Sequence, residues 1–158
     1  MATPPRVFDL NRPYFVSTAT LRRRQLFRDA DNAALMRDVL YETSKRYEFH
    51  LLSFVIMPDH FHAIVVPRPG DTISQVMRFI KGRYARLHNE RVPAFGAVWQ
   101  PSFFDRAVRR EEDLFQFIDY IEDNPVKAGL VLDPKDYPFC SANLNCPTSI
   151  NLYLTGQG

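Results

Sequence analysis

The chain is poor in the features that mark several whole classes of protein. Of its 158 residues only Cys140 and Cys146 are cysteines, without the Cys-x-x-Cys spacing of a zinc or redox motif. That excludes a disulfide framework and makes a reducing cytoplasm the expected compartment. The longest uncharged apolar stretch, residues 51–58, is far too short to cross a bilayer, so no membrane partner is expected. The opening Met1-Ala-Thr-Pro-Pro-Arg6 lacks the apolar core of a secretion signal. No Gly-x-x-x-x-Gly-Lys loop is present to cradle a nucleotide triphosphate. Internal repeats, low-complexity tracts and Ser/Gly linkers are missing too.

What remains has a globular balance, 46 % apolar and 24 % charged. The length suits one domain over residues 1–158 with a single sizeable core. Net charge is only +2, but it is unevenly spread. Residues 1–91 hold 15 Lys and Arg against 9 Asp and Glu, whereas residues 92–158 hold 5 against 9. From residue 12 to residue 28 there are five arginines and no acid, including Arg22-Arg23-Arg24; residues 78–91 carry five basic groups and one acid. Such stretches form either a footprint for a polyanion or solvated faces, and charge alone does not separate the two.

Residues 14–21, aromatic and β-branched, read as a strand. Asp31 is placed to cap a helix running to about Tyr47, with Leu35, Val39, Leu40 and Tyr47 as its apolar stripe. Residues 49–57 and 60–67 are apolar runs separated by Pro58-Asp59, which is turn chemistry and predicts a hairpin. Thr72 or Ser74 opens a second helix whose stripe is Ile73, Val76, Ile80, Tyr84 and Leu87. Residues 98–108 read as an extended segment interrupted by Pro101. A third helix starts at Glu111 on an acidic first turn, carries Leu114, Phe117, Ile118 and Ile121, and is expected to end before Pro125. Beyond Pro134 the chain turns irregular and polar. The order β-α-β-β-α-β, then a helix, is the split βαβ pattern: an α+β, ferredoxin-like fold with an antiparallel sheet whose free face accepts the extra helix or a ligand.

His60-Phe61-His62 is the most informative tripeptide. Residues two apart on a strand share a face, so two imidazoles just past a tight turn are able to grip one divalent ion while Phe61 points away. Two ligands are too few for a tight site, and the alternative is one exposed histidine beside one that caps the turn. On the third helix Tyr120 and Asn124 are four apart, hence neighbours on one face, offering a phenol and a hard carbonyl oxygen. Alone, they also read as a core-edge tyrosine and a helix-end asparagine.

Met57-Pro-Asp-His-Phe-His62, Trp99-Gln-Pro-Ser-Phe-Phe-Asp-Arg106 and Asp119-Tyr-Ile-Glu-Asp-Asn-Pro-Val-Lys-Ala-Gly129 occur in that order. Together they resemble the small single-tyrosine transposases with a His-hydrophobe-His motif, in particular the REP-associated tyrosine transposases. Asp136-Tyr-Pro-Phe-Cys-Ser141 is similar to the segment that follows the catalytic helix in that group. The likeness spans roughly residues 12–142 and leaves residues 143–158 as an irregular tail.

The resemblance implies cleavage and rejoining of single-stranded or hairpin DNA, with Tyr120 as nucleophile and His60 and His62 as ligands of a divalent metal, Mg2+ or Mn2+. Asn124 falls where the family places a third ligand, which is Gln in other branches. In-line attack by Tyr120 would leave a 5′-phosphotyrosine and a free 3′-OH, keeping the bond energy for rejoining without ATP. Arg22, Arg23, Arg24, Arg78, Lys81, Arg83 and Lys127 are the candidate contacts to the DNA backbone, and Tyr84, Phe103 and Phe104 the candidate stacking surfaces. A monomer and a homodimer both accommodate this chemistry. The other readings are a non-cleaving single-stranded nucleic-acid binder, a use this sheet topology also serves, and a metal-dependent hydrolase with water as nucleophile.

Overall fold

The computed structural model of the protein describes residues 12–93 and 96–156. Residues 1–6, where a secretion signal would begin, lie outside them. The chain runs β1 (Tyr14–Ala19), α1 (Ala30–Arg46), β2 (His50–Met57), β3 (His60–Val66), α2 (Ile73–Arg91), β4 (Phe104–Ala107), α3 (Glu111–Lys127) and α4 (Ile150–Thr155). The sheet order is β2-β3-β1-β4, with every neighbouring pair antiparallel. This is the α+β, split βαβ arrangement expected from the sequence. Among the described residues no helix is long and apolar enough to cross a membrane.

Alternation along the strands divides the core in two. Val16, Phe61, Ala63 and Val65 pack against Met36 and Leu40 of α1 and Val76, Ile80 and Tyr84 of α2. Phe15, Ile64 and Val66 face the other way, against Leu114 and Ile121 of α3 and Tyr137 and Tyr153 beyond it. Covered on both sides, β2 and β3 are apolar nearly throughout instead of alternating. Each fully buried aliphatic or aromatic side chain contributes roughly 1.5–3 kcal/mol.

Several element ends differ from their sequence reading for local reasons. α1 is capped by Asp29, not Asp31: the Asp29 carboxylate accepts from the Asp31 and Asn32 amides at 2.9 and 3.1 Å. Asp31 sits in the first turn, where it complements the helix dipole. α2 opens at Thr72 with a reciprocal capping box to Gln75. The extended segment at 98–108 is only partly a strand. Trp99 bridges Thr20, Ser102 adopts φ +71°, and regular pairing begins at Phe104.

α3 does not stop at Asn124. It continues through Pro125, which is buried, to Lys127. The stop lies at Gly129 (φ +75°), where the Gly129 amide donates to the Val126 carbonyl and the Leu130 amide to the Pro125 carbonyl, a Schellman end. A proline in the last turn forfeits one hydrogen bond, and the glycine stop satisfies the carbonyls that follow.

The stretch after α3 covers the outer edge of β2. Cys140 bridges Val55, and the amides of Ile56 and Ser141 donate to the carbonyls of Phe139 and Phe54. Pairing of this kind blunts an edge strand. The tail expected to be irregular contains α4, anchored by buried Tyr153 and by the Ser149 amide on the Leu51 carbonyl.

Candidate active site

The face that receives α3 also carries both imidazoles. In the β1–β3 register Ala19 faces His60 and Ser17 faces His62, so the two histidines point to the side on which Phe15 packs. Their ring centroids are 4.7 Å apart. Tyr120 stands over them from the middle of α3, its ring 5.6 Å from that of His62 and 5.9 Å from that of Phe15, all within one chain. Phe117, one turn earlier on α3, stacks on Phe15 at 5.0 Å, and Phe15 stacks on His62 at 5.4 Å. The helix, the strand and the imidazole are thereby held in one packed column. Tyr120 keeps 46 % of its surface exposed, open to a macromolecular substrate.

The histidines differ in their surroundings. His60 Nδ1 lies 2.6 Å from an Asp59 carboxylate oxygen, which favours a proton on that nitrogen and leaves Nε2 as the acceptor. His62 is buried, and its Nδ1 has no hydrogen-bond partner among the described residues. Burial first, then the neighbouring His60 and Arg23, push its pKa down to about 4, so it is neutral at pH 7. A neutral imidazole and a second one oriented by a carboxylate are the forms that ligate metals. Among the described residues no group of three or more His, Cys, Asp and Glu is placed to hold an ion. A metal site here would therefore need another donor type. Asn124, half-buried one turn after Tyr120 on α3, has the suitable carbonyl oxygen.

The basic residues picked out in the sequence divide. Arg23 extends the site, its guanidinium 3.6 Å from Asp59. Arg22, exposed at φ +57°, belongs to the same β1–α1 connection, but Arg24 donates to the carbonyls of Leu21 and Ala97. Arg78, Lys81 and Arg83 lie on α2, on the opposite face of the sheet from Tyr120. There Arg83 pairs with Glu42 of α1 at 3.0 Å, and Lys81 donates to the carbonyls of Gln100 and Ser102, burial lowering its pKa. Arg78 remains exposed. Lys127 carries its ammonium 5.8 Å from the Tyr120 ring centroid. Of the stacking candidates, Tyr84 is fully buried, whereas Phe104 is 58 % exposed.

Two hollows meet at Tyr120. One, of about 320 Å3, is lined by Phe15, Ser17, His62, Phe104, Phe117 and Tyr120. The other, of about 460 Å3, lies on the far side of Phe117 and Tyr120 and is walled by Arg106, Arg109 and Arg110. Sequence reasoning missed these three arginines, because residues 92–158 carry a net negative charge; the signal was Arg109-Arg110 directly before the acidic turn of α3. It also treated Asp59 only as a turn residue.

Comparisons with known proteins show the family and the fold. The REP-associated tyrosine transposase of Escherichia coli K12 is 29 % identical over 123 residues, covering 77 % of this chain and 72 % of that protein. A solved REP-associated tyrosine transposase bound to a REP hairpin superposes with a TM-score of 0.73 at 26 % identity, covering 89 % of this chain and 82 % of the other. A candidate transposase from Deinococcus radiodurans matches with a TM-score of 0.57 at 25 % identity, over 77 % of this chain and 97 % of that one. The family model described as "Transposase IS200 like" matches residues 12–124, which is most of the chain. With the family model and the fold in agreement, the chain belongs to the IS200-like transposase family and is a transposase similar to the REP-associated tyrosine branch.

Proposed function

We propose that this transposase cuts and rejoins single-stranded DNA, or the unpaired strand beside a hairpin, through a covalent bond to Tyr120. The observation that carries the reading is the half-exposed Tyr120 ring beside buried, neutral His62 in the same chain. A similar transposase has been solved with a REP hairpin, which supports hairpin DNA as the substrate class here.

Tyr120 Oη attacks the phosphorus in line, forming a phosphotyrosine on the 5′ side and releasing the 3′ oxygen. The phenol proton leaves to solvent, which the exposure of Tyr120 permits, and the departing oxygen takes a proton from solvent. Lys127 places a positive charge beside the ring as the phenol oxygen becomes anionic. The column Phe117–Phe15–His62 fixes the nucleophile relative to the imidazoles, so little orientational freedom is lost at the moment of attack.

The residues present fit a divalent metal. His60 offers Nε2, His62 is neutral with a buried nitrogen that has no hydrogen-bond partner among the described residues, and Asn124 is the third donor. Mg2+ or Mn2+ bound there would supply charge neutralisation of the non-bridging phosphate oxygens. Reversal of the first step by an incoming 3′-OH gives strand transfer with the bond energy conserved.

The test is Tyr120→Phe against the parent, incubated with labelled single-stranded DNA and Mn2+ and separated on denaturing gels. A protein-linked DNA band from the parent alone is expected. Equal cleavage by both proteins, or retention of DNA without any cut, overturns the reading.

A further inference from the structure

The hollow behind Tyr120 is unusual for its half of the molecule. Residues 92–158 contain only five cationic side chains. Arg106, Arg109 and Arg110 share one cavity wall with Tyr120, and Lys127 sits over the Tyr120 ring. Only Lys135 lies elsewhere. Three guanidinium groups around one cavity repel each other, and the one carboxylate lining it among the described residues, Asp113, is taken by Arg110 in a two-point contact at 3.2 Å, with Glu112 also acting on Arg110. That contact orients the Arg110 fork and leaves its remaining N–H groups without a hydrogen-bond partner among the described residues. Arg106 lies over Phe117, its guanidinium carbon 5.9 Å from the ring centroid, without an ion pair among the described residues. Arg109 is exposed and likewise has no ion-pair or hydrogen-bond partner among them. The second hollow, on the histidine side, is walled mainly by Phe15, Phe104 and Phe117. One side of the phenol thus suits a base and the other suits phosphates.

We propose that the hollow formed by Arg106, Arg109 and Arg110 is a phosphate-binding subsite for single-stranded DNA, holding a backbone phosphate that flanks the scissile one, across Tyr120 from the imidazoles. The proposal rests on the strand-cleaving reading above and adds which residues grip the strand beside the cut. Arginine presents a fork that matches phosphate oxygens, and cation release makes such contacts salt-dependent. The subsite positions the strand. It takes no part in bond making.

The experiment measures binding in a Tyr120→Phe background, where no covalent bond forms. Arg106→Gln and Arg109→Gln are titrated with a fluorescein-labelled single-stranded oligonucleotide between about 50 and 200 mM salt. Each is expected to weaken binding and to lower the slope of log K against log salt by about 0.7, the value for one lost single-strand phosphate contact. Arg109→Lys should recover the slope. Arg46→Gln, an exposed site on α1, should leave it unchanged. Methylphosphonates placed one at a time along the oligonucleotide should include one linkage whose neutralisation weakens the Tyr120→Phe protein while Arg109→Gln adds no further loss. Unchanged slopes for Arg106→Gln and Arg109→Gln, with melting temperatures equal to the parent's, overturn the proposal. The Tyr120 adduct assay keeps the two ideas apart. An adduct with unchanged slopes sinks the subsite alone, and reduced slopes without any adduct sink the cleavage reading while the phosphate contact stands.

Discussion

Asp59 shows how one carboxylate links a turn, a basic segment and the candidate metal ligands. It closes the β2–β3 turn, holds His60 Nδ1 at 2.6 Å and lies 3.6 Å from Arg23. A histidine oriented through its second nitrogen presents the first in a fixed direction, and loss of such partners commonly costs 10–100-fold (about 1–3 kcal/mol) in metal affinity or activity. Asp59→Asn should therefore shift the Mn2+ midpoint of DNA nicking upward by about 10-fold or more, with activity returning at saturating metal. An unchanged midpoint would separate Asp59 from the site. His88 gives a residue-scale prediction about stability. It is buried in the last turn of α2, 3.4 Å from the Tyr84 hydroxyl. Burial first, then Arg24 and Arg91, lower its pKa. The unfolded chain therefore binds a proton that the native state refuses, so stability is full above the unfolded histidine value of ~6.5 and falls as pH drops below it. His88→Gln should flatten part of the decline in melting temperature between pH 7 and pH 5. An identical slope in both proteins would contradict the assignment.

At the scale of elements, the end of α3 is where sequence and structure differ most usefully. A rule about the residue before proline placed the stop at Asn124; the structure puts it at Gly129, past a buried Pro125. The local penalty of proline was legible, but its compensation was not, because burial of Pro125 against the core is a tertiary event. The glycine stop itself is a local signal, and it yields a prediction. Gly129→Ala places a side chain at φ +75°, where no neighbouring atom lies within 4 Å of the new Cβ, so the cost is backbone strain alone. A loss of about 1 kcal/mol in urea denaturation, with the same m-value, is expected. Loss of nothing measurable would mean that the Schellman end is not stabilising. Elsewhere the hydrophobic period carried the reading well. Val76, Ile80 and Tyr84 are buried as their spacing required, and the hairpin turns at Pro58-Asp59. Strand β4 was overextended because Ser102 at φ +71° leaves no trace in a run of aromatic residues.

The whole molecule determines whether the candidate site is built from one chain. His60 and His62 were legible as a pair because strand periodicity is local, and Tyr120 with Asn124 because helix periodicity is. Their meeting was not legible, since it depends on which sheet face receives α3. The three arginines behind Tyr120 were missed for a similar reason: averaged over the acidic half they vanish, and folding gathers them. In this fold Tyr120 lies 5.6 Å from His62 of its own chain, measured between rings. α3 is held there by Leu114 and Ile121, both fully buried, and by the Phe117–Phe15 stack. Swinging the helix out to serve a partner would expose those side chains at roughly 1.5–3 kcal/mol each. The proposed chemistry should therefore run within one chain even if the protein dimerises. Mixing Tyr120→Phe with a His60→Ala/His62→Ala variant of different mass tests this directly. Each lacks half of the site, and a site assembled within one chain leaves the mixture without any protein-linked DNA. A labelled band at the mass of the histidine variant, whose Tyr120 is intact, would mean that the partner's imidazoles had served it. The packing of α3 against its own sheet would then describe a resting arrangement, and catalysis would require the helix to leave it.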